Sequence, residues 1–67
     1  MNTTELKVEM LRHDDTSGDL ANALGISRTT FSAKSNGNAD FTQAEIAKIK
    51  ERYTLSAQRV EEIFFTD

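Results

Sequence analysis

Cysteine, proline and tryptophan are absent from this chain of 67 residues, and histidine occurs once. Without cysteine there is neither a disulfide nor a thiolate ligand, and one histidine does not complete the usual zinc ligand sets. The absence of proline favours a compact helical domain over a proline-rich linker. No apolar run approaches the roughly 18 residues of a membrane span. These absences predict one small soluble domain, over residues 1–67, that takes no cofactor and no metal.

Positive charge is also scarce, because 8 basic and 11 acidic residues give a net charge of −3. Proteins that bind nucleic acid usually carry a basic face. The stretch between Asp19 and Asp40 nevertheless contains no acidic residue, while Arg28 and Lys34 both lie within it. This locally positive segment permits DNA binding, but with few phosphates neutralised and therefore with weak non-specific affinity.

The first segment predicts a helix that Thr3 or Thr4 caps and that runs to about Arg12. The side chains expected to face the core are Leu6, Met10 and either Val8 or Leu11. Three residues recur every fourth position and superficially resemble a metal site, but a solvated face is the preferred interpretation: Glu5, Glu9 and His13. The carboxylates that lie next to each other in the chain are expected at the surface as well: Asp14-Asp15 and Glu61-Glu62.

The segment over residues 17–36 predicts two helices joined by a tight turn. Thr16 followed by Asp19 resembles a capping box and opens the second helix. Its apolar face consists of Leu20, Ala21 and Leu24. Gly25 ends it, because the turn requires a positive φ that a residue with a Cβ resists. Ser27 caps a third helix, which ends near Asn36-Gly37, so that the pair forms a helix-turn-helix.

The rest of the chain predicts two further helices. Thr42 and Glu45 form a capping box for the fourth helix, and Phe41 before it anchors the preceding polar loop to the core. The apolar residues of this helix and its end are Ile46, Ile49, Tyr53 and Leu55. Ser56 caps a fifth helix with an apolar side of Val60, Ile63 and Phe64. The predicted fold is therefore an all-α, compact domain of five helices.

With the helices placed, the chain resembles the lambda-repressor-like helix-turn-helix family, which includes phage repressors and Cro proteins. The likeness is strongest in Asp19-Leu-Ala, Leu24-Gly-Ile-Ser27, Thr30-Phe31 and Asn36-Gly37. A narrower likeness is to small phage regulators that share Phe41-Thr-Gln-Ala-Glu45-Ile46 and end in Ile63-Phe64-Phe65. The resemblance implies a lambda-repressor-like DNA-binding domain, with a motif formed by the second and third helices over about 17–36.

In that family the third helix enters the major groove, with its exposed N-terminal residues against base edges. The resemblance therefore implies base contacts from Arg28, Thr29, Ser32 and Ala33, with Thr30 close by. Arg28 is the best candidate, since a guanidinium makes two hydrogen bonds to a guanine edge. Phosphate contacts are implied for Ser17, Asn36 and Asn38. Lys34 stands where the motif usually buries an aliphatic residue, so it is expected either to pack its stem or to reach for a phosphate.

The resemblance implies a phage-type transcriptional regulator that binds double-stranded operator DNA in the cytoplasm of a bacterial host cell, and tight binding to a palindromic site would require a homodimer. No enzymatic activity is expected, because the adjacent carboxylates point in different directions and so small a domain offers no buried cleft. The alternative is an antirepressor or modulator that keeps the fold but binds a partner phage repressor, because acidic surface complements a basic DNA-binding face. The pair Phe64-Phe65 is a candidate protein interface under either function. One ring is expected to complete the core, while the other either forms a protein interface or folds back on the first helix.

Overall fold

A computed structural model describes residues 1–66 of the chain. Within that range it consists of five helices and no strand, which confirms the predicted secondary structure. The helices are α1 (Thr3–Arg12), α2 (Ser17–Leu24), α3 (Arg28–Ser35), α4 (Gln43–Tyr53) and α5 (Ala57–Phe64). None of these helices has the length and the apolar character needed to cross a membrane.

Side-chain caps fix where the helices begin. Thr16 with Asp19 and Thr42 with Glu45 form reciprocal capping boxes at the starts of α2 and α4, as predicted. Ser27 and Ser56 cap α3 and α5, also as predicted. Each cap satisfies a backbone N–H that has no partner within its helix.

The predicted cap of α1 is wrong by one or two residues. Asn2, not Thr3 or Thr4, accepts the N–H of Glu5 at 3.2 Å. The backbone N–H of Asn2 also donates to the carbonyl of Ile63 at 2.7 Å. This long-range hydrogen bond ties the start of α1 to α5 and holds Asn2 in the extended conformation that a cap requires.

A single apolar core joins all five helices. Its fully buried aliphatic members are Leu6, Leu20, Ile49 and Ile63. Phe41 lies between the rings of Phe31 and Phe64, with centroid distances of 6.0 and 5.8 Å, so the loop after α3 is anchored as predicted. Ile46 is only partly buried. Neither alternative for α1 completes its core face, since Val8 is half-buried and Leu11 is 81 % exposed.

The predicted solvated face of α1 is wrong at Glu9, which is buried. Its carboxylate accepts Arg59 Nε of α5 at 2.7 Å and Arg12 at 3.2 Å, while Glu5 accepts Arg59 at 2.8 Å. The hydrogen bonds that Arg59 donates to Glu5 and Glu9 hold the pKa of Arg59 above its ordinary value, so the cation stays charged. Both carboxylates therefore join α1 to α5, with Glu9 buried and the Glu5 side chain still 36 % exposed.

Asp15 was expected at the surface, but its side chain is 6 % exposed. Arg52 donates two hydrogen bonds of 2.8 Å to this carboxylate, and the Tyr53 hydroxyl donates a third. The hydrogen bonds from Arg52 lower the pKa of Asp15 against the opposing effect of burial. Asp15 thus fastens the loop before α2 to the end of α4, whereas Glu61 and Glu62 are exposed as predicted.

Candidate nucleic-acid interface

The link between α2 and α3 consists of three residues and depends on a left-handed glycine. Gly25 has φ 72° and ψ 29°, as predicted, and its N–H donates to the carbonyl of Asn22 at 3.1 Å. The N–H of Ile26 donates to the carbonyl of Ala21 at 3.0 Å, and its side chain packs against the core. These contacts satisfy the end of α2 and fix the direction in which α3 leaves it.

The orientation of α3 is set by what it buries. Phe31 and Ser35 face the interior, so the exposed row along the other side of the helix includes Arg28, Thr29 and Ser32. Thr30 belongs to a different part of the surface. Its hydroxyl accepts a hydrogen bond of 2.9 Å from Ser27 Oγ, and its N–H is capped by the same oxygen at 3.0 Å.

The exposed row of α3 opens onto a concavity of about 640 Å³. The walls come from α1, the start of α2, α3 and the loop that follows it. The lining residues are Lys7, Ser17, Arg28, Thr29, Ser32, Ala33, Ser35, Asn36 and Asn38. The structure therefore brings together seven of the nine residues predicted to contact DNA, and leaves Thr30 and Lys34 outside. No acidic side chain lines this surface, which we call the α3 concavity.

Arg28 lies across the beginning of α2. A Cβ placed on Gly18 would lie 3.6 Å from Arg28 Nε, so the guanidinium rests over a residue that has no side chain. Among residues 1–66 Arg28 makes no ion pair. Its five N–H donors remain available to an acceptor in the α3 concavity, beside Ser17 at the first turn of α2.

Lys34 points away from the α3 concavity. Its Nζ lies 2.6 Å from Glu45 Oε1, and the two side chains are 14 % and 11 % exposed. The same carboxylate oxygen accepts the N–H of Thr42 at 2.9 Å. Burial raises the pKa of Glu45, but the hydrogen bonds from Lys34 and Thr42 outweigh it and lower the pKa overall. Of the two expectations for Lys34, its stem packs, and its charge is used to hold α3 against α4.

Lys7 and the largely buried Ser35 are the two lining residues that the sequence did not predict, and Lys7 is the charged one. Leu6 and Met10 face the core, which predicts only that Lys7 flanks that face. Which neighbouring helix lies on that side depends on tertiary packing, and no local pattern reports it. A single lysine in an amphipathic helix gives no other signal.

The two phenylalanines at the end of α5 differ. Phe64 is buried in the core, whereas Phe65 is 64 % exposed, so the alternative that Phe65 folds back onto α1 is wrong. Phe65 and Leu11 are the large apolar side chains exposed among residues 1–66. No protein-family model matches the chain, and neither a curated protein nor a solved structure is significantly similar to it.

Proposed function

We propose that this chain is a phage-type transcriptional regulator of the lambda-repressor-like class, which binds operator DNA in the bacterial cytoplasm. In this proposal α2 and α3 form the helix-turn-helix, and α3 enters the major groove. The observation that carries the proposal is the α3 concavity, where two cations and a row of small polar side chains meet without a carboxylate. On a protein with a net charge of −3, such a surface suits a polyanion better than the rest of the molecule does.

The residues of the concavity divide into two kinds of contact. In this proposal Arg28 at the start of α3 donates two hydrogen bonds to a guanine, while Thr29 and Ala33 offer methyl groups to thymine. Ser17, Asn36 and Asn38 flank the helix and would donate to phosphates, which fixes the register of α3 in the groove. In this scheme Thr30 takes part in the cap of α3, and Lys34 holds α3 against α4, so neither contacts DNA.

The dimensions of the protein allow two copies on one operator. A single module of this kind buries only about 600–1,000 Å² on DNA, so tight binding requires a pair. Half-sites on one face of the duplex repeat at about 34 Å. The two shorter extents of the backbone are 23 and 20 Å, which is compatible with two copies side by side at that spacing.

The test is a titration of the protein against its own promoter region, beside a scrambled duplex, over a series of salt concentrations. Arg28→Ala is expected to reduce the discrimination between the two duplexes by about 1–3 kcal/mol while leaving the helical circular dichroism unchanged. Lys48→Ala, an exposed cation of α4 outside the concavity, is the matched control and is expected to retain discrimination. Absence of any sequence preference by the wild-type protein at low salt would contradict the proposal.

The second candidate is a modulator that binds a partner repressor, and exposed acidic and aromatic groups favour it. Asp14, Glu61 and Glu62 are exposed, as is Phe65 directly after α5. Asp15, in contrast, is paired with Arg52 and offers no free charge. Co-purification with the regulator encoded beside it, measured together with the promoter titration, separates the two functions. Unaided binding to the promoter supports the regulator, and binding only to the partner protein supports the modulator.

A further inference from the structure

Half of the basic side chains are paired with carboxylates of the same chain. Four of the 8 lysines and arginines lie within 3.2 Å of a carboxylate oxygen: Arg12, Lys34, Arg52 and Arg59. Four make no ion pair among residues 1–66: Lys7, Arg28, Lys48 and Lys50. Because a paired cation contributes little to the field at a distance, attraction of a polyanion depends mainly on the second group.

Two members of that second group meet in the α3 concavity. Lys7 comes from α1 and Arg28 from α3, whereas Lys48 and Lys50 lie on α4 and do not line this surface. No carboxylate lies among the lining residues to offset Lys7 and Arg28. The concavity is therefore a site of concentrated positive charge that is built from two helices far apart in the chain.

The position of α1 makes Lys7 part of this surface. A Cβ placed on Gly37, in the loop after α3, would lie 4.0 Å from Thr3 Cγ2 of α1. Thr3 and Lys7 are four residues apart, so they share one side of the helix. The burial of Leu6 holds this side of α1 in place, with the Lys7 side chain exposed along the wall.

We propose that Lys7 binds a backbone phosphate and extends the DNA-binding surface from the α2–α3 pair onto α1. This inference rests on the proposed function. A helix in the major groove lies between the phosphates of both strands, and Arg28 faces the base edges at its start. An ammonium group on a flexible four-carbon stem acts as a point charge toward phosphate and does not read sequence. Lys7 therefore adds affinity and salt dependence without specificity.

The test measures the affinity for a mixed-sequence duplex of about two helical turns (~20 base pairs) at several salt concentrations. The proteins compared are the wild type, Lys7→Gln and Lys50→Gln, the last being an exposed lysine outside the concavity. The slope of log K against log salt is negative, and loss of one phosphate contact reduces its magnitude by about 0.9. We expect this reduction for Lys7→Gln, with weaker binding at low salt, and an unchanged slope for Lys50→Gln.

The promoter duplex provides the second readout. Lys7→Gln is expected to lower the affinities for the promoter duplex and for the mixed duplex by the same factor, because a phosphate contact carries no sequence information. Equal slopes for Lys7→Gln and Lys50→Gln, while the wild type binds DNA, would overturn the role of Lys7 alone. A wild-type protein that binds neither duplex at low salt would overturn the proposed function and this inference together.

Discussion

Replacement of Lys34 by methionine tests whether this residue orients α3. The substitution keeps most of the stem but removes the ammonium group that lies 2.6 Å from Glu45. Glu45 is then left as a carboxylate whose side chain is 11 % exposed, with the cap of Thr42 as its remaining partner. Loss of Lys34 should therefore destabilise the domain although the lysine itself touches no ligand.

The magnitude follows from the burial of the pair. Removal of one partner from a fully buried ion pair costs about 3–5 kcal/mol. Here the Glu45 carboxylate keeps the backbone N–H of Thr42 as a donor and the favourable N-terminus of α4, so we expect a loss of about 2 kcal/mol. A domain of this length has a total stability of roughly 3–10 kcal/mol. The expected fall in Tm is then about 8–16 °C.

Thermal unfolding followed by circular dichroism measures this change, with Lys50→Met as the control for an exposed lysine of α4. That control is expected to stay within about 0.5 kcal/mol of the wild type. The double variant Lys34→Met/Glu45→Gln keeps the capping box and removes the unpaired charge, so it should recover part of the loss. A Tm for Lys34→Met equal to that of Lys50→Met, or strict additivity in the double variant, would refute the reasoning.

Two further predictions concern the loops that bound α2. Gly25→Ala is expected to destabilise the domain by about 1 kcal/mol, because φ 72° strains a residue with a Cβ. The control Gly18→Ala, in helical backbone, should leave the free energy of unfolding within about 0.5 kcal/mol of the wild type. Equal losses for the two variants in chemical denaturation would contradict this prediction. Asp15→Asn should lower stability at neutral pH by about 1–2 kcal/mol. Arg52 lowers the pKa of Asp15 in the folded state. The contribution of the Asp15 carboxylate to stability is therefore fully present above its ordinary pKa of 3.8, and it is lost as the pH falls through the lowered pKa. In unfolding scans from neutral pH down to about pH 2, the stability of Asp15→Asn should thus fall less with acid than that of the wild type. Identical pH profiles for the two proteins would contradict the role of the Asp15 carboxylate.

Local chemistry explains why the helices were predictable. A side-chain cap acts within three residues, so Thr16 with Asp19 and Thr42 with Glu45 indicate helix starts without reference to the rest of the chain. Gly25 indicates the end of α2, because its preference for a positive φ is likewise a local property. The cap by Asn2 is local too, since its side-chain oxygen accepts the N–H of Glu5. What no local pattern reports is that the N–H of Asn2 donates to the carbonyl of Ile63, near the other end of the chain, which favours Asn2 over Thr3 and Thr4.

Charge placement was harder to predict, since ion pairs depend on which helices become neighbours. Glu9 meets Arg59 and Asp15 meets Arg52 across separations of 50 and 37 residues. Sequence spacing alone made these carboxylates resemble surface groups. The same limit applies to the α3 concavity, where the row on α3 followed from helical periodicity but Lys7 did not.

Nuclear magnetic resonance of the backbone amides during a titration with promoter DNA tests the central claim most directly. The account predicts progressive shift changes at Ser17, Arg28, Thr29 and Ser32, and at Lys7 on α1. The amides of Lys50 and Phe65 are expected to remain unchanged. Shift changes centred on α4 or α5, or a spectrum that DNA leaves unaltered at low salt, would contradict the assignment of the α3 concavity as the DNA-binding surface.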